Sequence, residues 1–388
     1  MSNYLFPIIS AILSTIIGIS GAFSTPAKNI QVASPKNATI SDNLKISDSP
    51  STAIANSSKP KADASPKTKT YVDIKATTTA KILPEKIPEQ NFGGSAVSTS
   101  TSPLLSWDEI NVKTRSTLVN IICTTQSGGS FEPISGSGVI IDKRGVILTS
   151  AHIAEYFLLK DYKVKNFINC VVRQGSPAQS MFKAELLFIS PKWIETNYKK
   201  MKTRDPSGTG ENDYAFLKIK EKIDGSPLSQ DLPYLETDFQ NTDIDKNQAV
   251  LIAGYAAEFL GGISIQRDLY AVSSIATVSK LLSFASTTFD VIGLNGNIAA
   301  QKGSSGGAIV SNQNKLVGII STVVEARQTD NRKLMAITLE HINRSFFESN
   351  GFEVSTMLST NLDKLTEQFN SEIAPVLTKV LTDELDKK

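Results

Sequence analysis

Residues 136–152 read Gly136-Ser137-Gly138-Val139-Ile140-Ile141-Asp142-Lys143-Arg144-Gly145-Val146-Ile147-Leu148-Thr149-Ser150-Ala151-His152: two short apolar runs, a polar turn between them, and two small residues before a histidine. Val and Ile are stiff at χ1 and fit a pleated surface, so such runs form strands, while Asp, Lys, Arg and Gly supply the turn. The same alternation continues outward on both sides. Runs at 117–124, 168–173, 182–189 and 214–219 surround the pair, and runs at 248–255, 270–279, 287–292, 307–311, 315–322 and 333–338 follow. Twelve such runs in roughly 240 residues, with few helical patterns between them, predict an all-β fold of two six-stranded antiparallel β-barrels rather than one sheet.

Helical patterns are confined to 151–160, to 339–348 and to the stretch from Ser355 onward. In that last stretch Leu358, Leu362, Leu365, Phe369, Ile373, Leu377 and Leu381 recur at three- and four-residue spacing, which predicts an amphipathic helical extension over 351–388 with a break or kink at Pro375. Its apolar face can pack on the barrels or serve as a partner or dimer contact, so oligomerisation through it stays open. The ordered domain is expected over 104–350.

Residues 1–23 contain an apolar segment from Leu5 to Phe23 with no Lys or Arg before it, long enough for a signal-peptide core or a membrane anchor. Residues 24–103 are rich in Ser, Thr, Ala, Pro and Lys and carry too little apolar surface to offset the entropy of folding, which predicts a disordered linker. Together these predict an exported chain of the cell envelope, anchored by its first segment or secreted.

The chain has 388 residues, with 40 basic and 38 acidic side chains, a formal charge of only +2 and no basic stripe, which excludes an extensive nucleic-acid interface. His152 and His341 are its only histidines, so no site built on several imidazoles can form, and Cys123 and Cys170 lack paired-ligand spacing. No metal and no cofactor is expected. Cys123 alternates with Val119 and Ile121, and Cys170 with Ile168 and Val172, so both point into the first barrel as buried free thiols or as a bridge.

Three places carry chemistry. Gln301-Lys302-Gly303-Ser304-Ser305-Gly306-Gly307-Ala308 sets a serine in a glycine-rich turn that can aim backbone N–H groups at one point, the geometry an oxyanion needs. His152 stands where a buried strand opens into a short helix. Asp213, in Asn212-Asp213-Tyr214-Ala215-Phe216-Leu217-Lys218, leads into an apolar strand where a carboxylate needs a partner. Each alone reads as a turn, a structural histidine or a loop aspartate. In the order His, Asp, Ser the three resemble the chymotrypsin-like (trypsin-like) serine peptidases, specifically the bacterial trypsin-like and high-temperature-requirement proteases, over about residues 110–350. The stretches 136–141 with 150–152, 212–218 and 303–307 resemble their histidine, aspartate and serine motifs, and 315–320 resembles the strand lining the primary specificity pocket.

The resemblance implies a serine endopeptidase acting on protein or peptide substrates, with Ser305 as nucleophile, His152 as base, Asp213 orienting it and the N–H groups of Gly303 and Ser305 as the oxyanion hole. It also implies a substrate pocket at Ala299, Ile320 and Ser321. Ala299, six positions before the serine, brings no charge to the pocket floor, so cleavage after apolar residues is expected. Ser304 stands where many trypsin-like zymogens carry an aspartate that pairs with a newly cut amino terminus, so activation by that route is not expected. The chain after Ser355 is too short for the peptide-binding PDZ module that often follows high-temperature-requirement proteases. The competing reading is a catalytically inactive, protease-like binding or envelope scaffold.

Overall fold

The computed structural model describes residues 105–125, 133–202, 210–240, 244–257, 260, 262–284, 288–295, 297–299, 301–324 and 333–387. The segments expected at 1–23 and 24–103 lie outside them.

Two β-barrels form the structure. In the first, β1 (Leu118–Thr125), β2 (Ile134–Asp142), β3 (Val146–Thr149), β4 (Ile168–Gln174), β5 (Gln179–Ile189) and β6 (Ala215–Lys222) close in the order β1-β2-β3-β6-β5-β4, every pairing antiparallel. In the second, β8 (Ala249–Gly254), β9 (Val272–Leu282), β10 (Val291–Asn295), β11 (Ala308–Val310), β12 (Lys315–Val324) and β13 (Lys333–Thr338) run β11-β8-β9-β10-β13-β12, and β11 pairs with β12 to close the ring. A two-residue strand, β7 (Glu236–Thr237), adds parallel to β12 outside the six. β3 is buried along its whole length and β1 over its first six residues, because one face fills the barrel and the other is covered by neighbouring elements. β9 alternates toward solvent, as a strand covered on one side does.

The sequence locates these strands well, with one displacement. The run expected at 287–292, whose residue 287 lies outside the described residues, begins its strand at Val291, where the Asp290 N–H donates to the Leu282 carbonyl. The Asp290 carboxylate accepts hydrogen bonds from Ser283 Oγ, the Phe284 N–H, Thr288 Oγ1 and Arg344.

Three helices escape the sequence pattern, that at Gly262–Arg267 below among them. The first, α1 (Trp107–Thr117), precedes β1 and starts with a capping box: Ser106 Oγ accepts from the Glu109 N–H, and the Glu109 carboxylate accepts from the Ser106 N–H at 2.8 Å. After α2 (Ala151–Leu158) comes the second, α3 (Pro191–Asn197), which begins with proline where its missing N–H costs nothing. α4 (Gly262–Arg267) lies between β8 and β9, and α5 (Leu339–Asn350) ends at Gly351, whose φ of 77° gives a left-handed cap.

The C-terminal stretch folds as α6 (Val354–Ser359), α7 (Leu362–Gln368) and α8 (Ala374–Leu385). The break falls before α7, where Asn361 caps the new helix, and not at Pro375. Ahead of Pro375 the chain widens into a π-helical turn over Phe369–Ile373, which joins α7 to α8. That wider turn removes the need for the N–H that proline lacks and relieves the clash of its ring with the preceding turn. Leu362, Leu365, Phe369, Ile373, Leu377 and Leu381 are all buried in the same apolar cluster as the interior of the first barrel. Asn370 Nδ2 donates to the Leu186 carbonyl and Thr378 Oγ1 to the Leu158 carbonyl.

Cys123 and Cys170 are direct register partners on β1 and β4, and their sulfurs form a disulfide. The bridge closes a loop across 47 residues of sequence. Replacing both cysteines by alanine should lower the unfolding free energy by about 2–4 kcal/mol in urea titrations; an unchanged midpoint would show that the strand pairing alone holds this edge.

Candidate active site

α2 begins at the end of β3, so His152 is the second residue of a helix whose first N–H groups lack helical acceptors. Asp213, two residues before β6, fills that need. Its Oδ1 accepts from the His152 N–H at 3.0 Å, and the imidazole Nδ1 lies 3.0 Å from Oδ1 and 2.9 Å from Oδ2. The carboxylate thus caps the helix and grips the ring that the helix carries. A third donor arrives from the second barrel, where Ser321 Oγ on β12 bonds Oδ2 at 2.8 Å. With these donors a carboxylate only 2 % exposed is satisfied. Facing a carboxylate, Nδ1 carries the ring proton, which leaves Nε2 as the free base. Burial of the ring works against its positive form, but the charge of Asp213, the hydrogen bond to it and the nearby Glu155 outweigh that and hold the His152 pKa above the ordinary histidine value.

Ser305 stands in the turn between Gln301 and β11, and its side chain is half-buried. Gly303 and Gly306 have φ of 93° and 82°, left-handed values that glycine adopts without strain. Space excludes any other residue there: a Cβ on Gly306 would lie 2.1 Å from the Ser137 carbonyl oxygen, and one on Gly303 would lie 2.6 Å from that of Tyr255. The turn hangs from the first barrel through Ser137 on β2. The Ser137 N–H donates to the Ser305 carbonyl at 2.7 Å, and Ser137 Oγ donates to the Gly303 carbonyl at 2.7 Å while accepting from the Tyr255 N–H at 2.8 Å. Thr149 Oγ1, at the end of the strand leading to His152, closes the knot on the Ser137 carbonyl at 2.7 Å. With the carbonyls of Gly303 and Ser305 tied back, their N–H groups donate to no acceptor among the described residues.

Ile320 links the same parts from the other side. Its carbonyl accepts from the Gly306 N–H and from Ser150 Oγ, so Ser150, which sits at the cap position of α2, turns its hydroxyl to the second barrel instead of its own helix. Imidazole, carboxylate and serine turn are therefore joined through Ser137, Ile320 and Ser321.

The other expected residues lie as follows. Ala299 and Ile320 are fully buried in the apolar cluster of the second barrel. Ser321 serves Asp213 with its hydroxyl. Ser304 is fully buried and its Oγ finds no hydrogen-bond partner. His341 is held between Asp290 and the Glu211 carbonyl on α5, apart from the serine turn, in keeping with a structural role. Among the described residues no group of three or more His, Cys, Asp or Glu is arranged to hold a metal ion. The sequence reading overlooks Ser137 and the pair Glu155 and Trp193. A serine between two glycines is the only trace of the first, and the second joins α2 to α3, a helix the pattern also hid.

The family model described as Trypsin matches residues 114–344, more than half of the chain. No curated protein matches it.

The Ser137 hydroxyl carries a testable load. Ser137→Ala leaves the Gly303 carbonyl and the Tyr255 N–H unpaired in a buried place, which should cost about 1–3 kcal/mol of stability in denaturant titrations, against no measurable change for Ser116→Ala on the surface of α1. Equal stability of the two variants would show that the knot holds nothing.

Proposed function

Because the chain belongs to the trypsin family of serine peptidases, we propose that it is an active serine endopeptidase in which Ser305, His152 and Asp213 cleave peptide bonds through an acyl-enzyme. The observation that carries this reading is the buried Asp213 carboxylate on His152 Nδ1, tied by Ser137, Ile320 and Ser321 to a serine turn with two unused N–H groups. An inactive scaffold needs neither an oriented imidazole nor unpaired donors.

A serine hydroxyl is a poor nucleophile near neutral pH. His152 Nε2 takes its proton as Ser305 Oγ attacks the scissile carbonyl carbon, and Asp213 stabilises the imidazolium that results. The carbonyl oxygen becomes negative and accepts from the N–H groups of Gly303 and Ser305, each worth about 3 kcal/mol in sites of this kind. His152 then gives its proton to the leaving amine. Water, activated by the same imidazole, releases the acyl group and restores the serine.

The disulfide supports work outside a reducing cytosol. The uncharged, buried Ala299 supports apolar residues before the cleaved bond. α1 supports activity without amino-terminal trimming: Ile110 is fully buried in the core, and Arg115 binds Ser176 and Ser273, so the chain ahead of β1 is already docked.

A fluorophosphonate probe should label the parent chain and leave Ser305→Ala unlabelled, with Asp213→Asn slowed by about three to four orders of magnitude. Equal labelling of parent and Ser305→Ala, or none in folded parent, contradicts the reading. Cleavage-site profiling with the chain uncut before residue 110 should give turnover and products ending in apolar residues. Turnover only after trimming, or products ending in Lys or Arg, would overturn those two points.

A further inference from the structure

Glu155 is a buried carboxyl group with no part in the mechanism above. It lies three residues beyond His152 on α2, and residues at that spacing share a helix face. Only 8 % of it is exposed. Its Oε2 accepts from the Trp193 indole N–H on α3 at 3.0 Å, and the Trp193 ring lies against the imidazole with centroids 6.3 Å apart. Trp193 is itself buried in the core cluster. The three side chains make one packed group: an imidazole held at Nδ1 by Asp213, an indole against it, and a second carboxyl fixed by that indole.

We propose that Glu155, oriented by Trp193, is a positioning residue of this site: a second carboxyl whose negative charge, when it ionises, stabilises the protonated form of His152. The proposal rests on the reading of His152 as the base. The buried Trp193 indole N–H needs an acceptor but not an ionisable one, since a glutamine amide oxygen would serve it without the cost of burying a carboxyl.

The electrostatics agree with the geometry. Burial pushes the Glu155 pKa up to about 8, with the Trp193 hydrogen bond and His152 pulling it down and Asp213 adding to the rise. The titratable groups acting on it are His152 from its own helix and Asp213 from the head of β6; α3 presents the neutral indole, and α8 meets α2 through the Thr378 hydroxyl. As pH rises through about 8 Glu155 ionises, and the imidazolium formed during attack gains a second partner. The coupling is reciprocal, so the factor by which ionised Glu155 raises the proton affinity of His152 is also the factor by which protonated His152 favours ionisation of Glu155.

Stability supplies a check on folding. A carboxyl whose pKa is raised from 4.5 to about 8 binds protons more tightly folded than unfolded, so its burial costs nothing below pH 4.5 and progressively more up to about pH 8. Glu155→Gln, which keeps an acceptor for the indole and removes the charge, should therefore match the parent in stability at low pH and exceed it at pH 8.

The deciding experiment uses the full chain, with Glu155→Gln and Trp193→Phe, and reads two quantities from pH 5 to 10: the fluorophosphonate labelling rate, and the NMR titration of His152, assigned by loss of its signal in His152→Gln. In the parent the labelling rate should rise about three- to tenfold through the Glu155 titration, above the rise due to His152. Glu155→Gln should lose that upper step, and its His152 should bind protons three- to tenfold more weakly. Trp193→Phe should keep the step at higher pH, since the indole hydrogen bond no longer favours the carboxylate. Superimposable His152 titrations in parent and Glu155→Gln overturn the proposal, as does a labelling profile changed only by a uniform factor. A parent inert to the probe defeats the peptidase reading alone, because the NMR titration still decides whether Glu155 governs the protonation of His152.

Discussion

The hydrogen bond from the Ser137 N–H to the Ser305 carbonyl joins the two barrels at the place where they must agree. Everything around it follows from the closeness of that contact. Gly306 has to be glycine because the Ser137 carbonyl occupies the space a Cβ would need, and Gly303 has to be glycine because the chain from Tyr255 passes beside it. The Ser137 hydroxyl gathers the Gly303 carbonyl and the Tyr255 N–H, so the serine turn and the end of β8 are positioned by one side chain of the other barrel. Thr149 ties the same residue to the strand that delivers His152. The strand that delivers the proposed base and the turn that carries the proposed nucleophile are thus tied together by short buried bonds through Ser137.

Asp213 makes a comparable economy. One carboxylate satisfies the open end of α2, fixes the imidazole tautomer and receives Ser321 from the second barrel. Such a group is costly to bury and costly to disturb, since removing any donor leaves charge unpaired in a dry place. Glu155 shows the contrast: with the Trp193 indole as its hydrogen-bond donor, burial pushes its pKa up to about 8.

Much of this was legible in the sequence. Period-two apolar runs bounded by turn residues locate the strands because barrel strands must alternate or bury both faces, and the apolar spacing from Leu362 to Leu381 marks a face that does bury. The candidate residues His152, Asp213 and Ser305 stand out through their local motifs. What stayed hidden depends on contacts across long sequence separations or on short elements. α1 is mostly polar, and only its Ser106 to Glu109 capping box betrays it. Pro375 signals a break by local rules, yet the chain absorbs it in a π-turn because Phe369 and Ile373 on either flank are already buried against the first barrel. Ser137, Ser321 and Glu155 have ordinary neighbours in sequence, and their roles arise only when the barrels close.

The central claim is that the Ser137 knot holds the serine turn with two N–H groups aimed at one developing negative charge. A crystal structure of the full chain after reaction with a fluorophosphonate tests it directly. The account predicts phosphorus on Ser305 Oγ, one phosphonyl oxygen within about 3 Å of both the Gly303 and Ser305 nitrogens, and the Ser137 bonds unchanged. Phosphorus on another residue, or an oxygen directed to solvent with those N–H groups turned away, would contradict it.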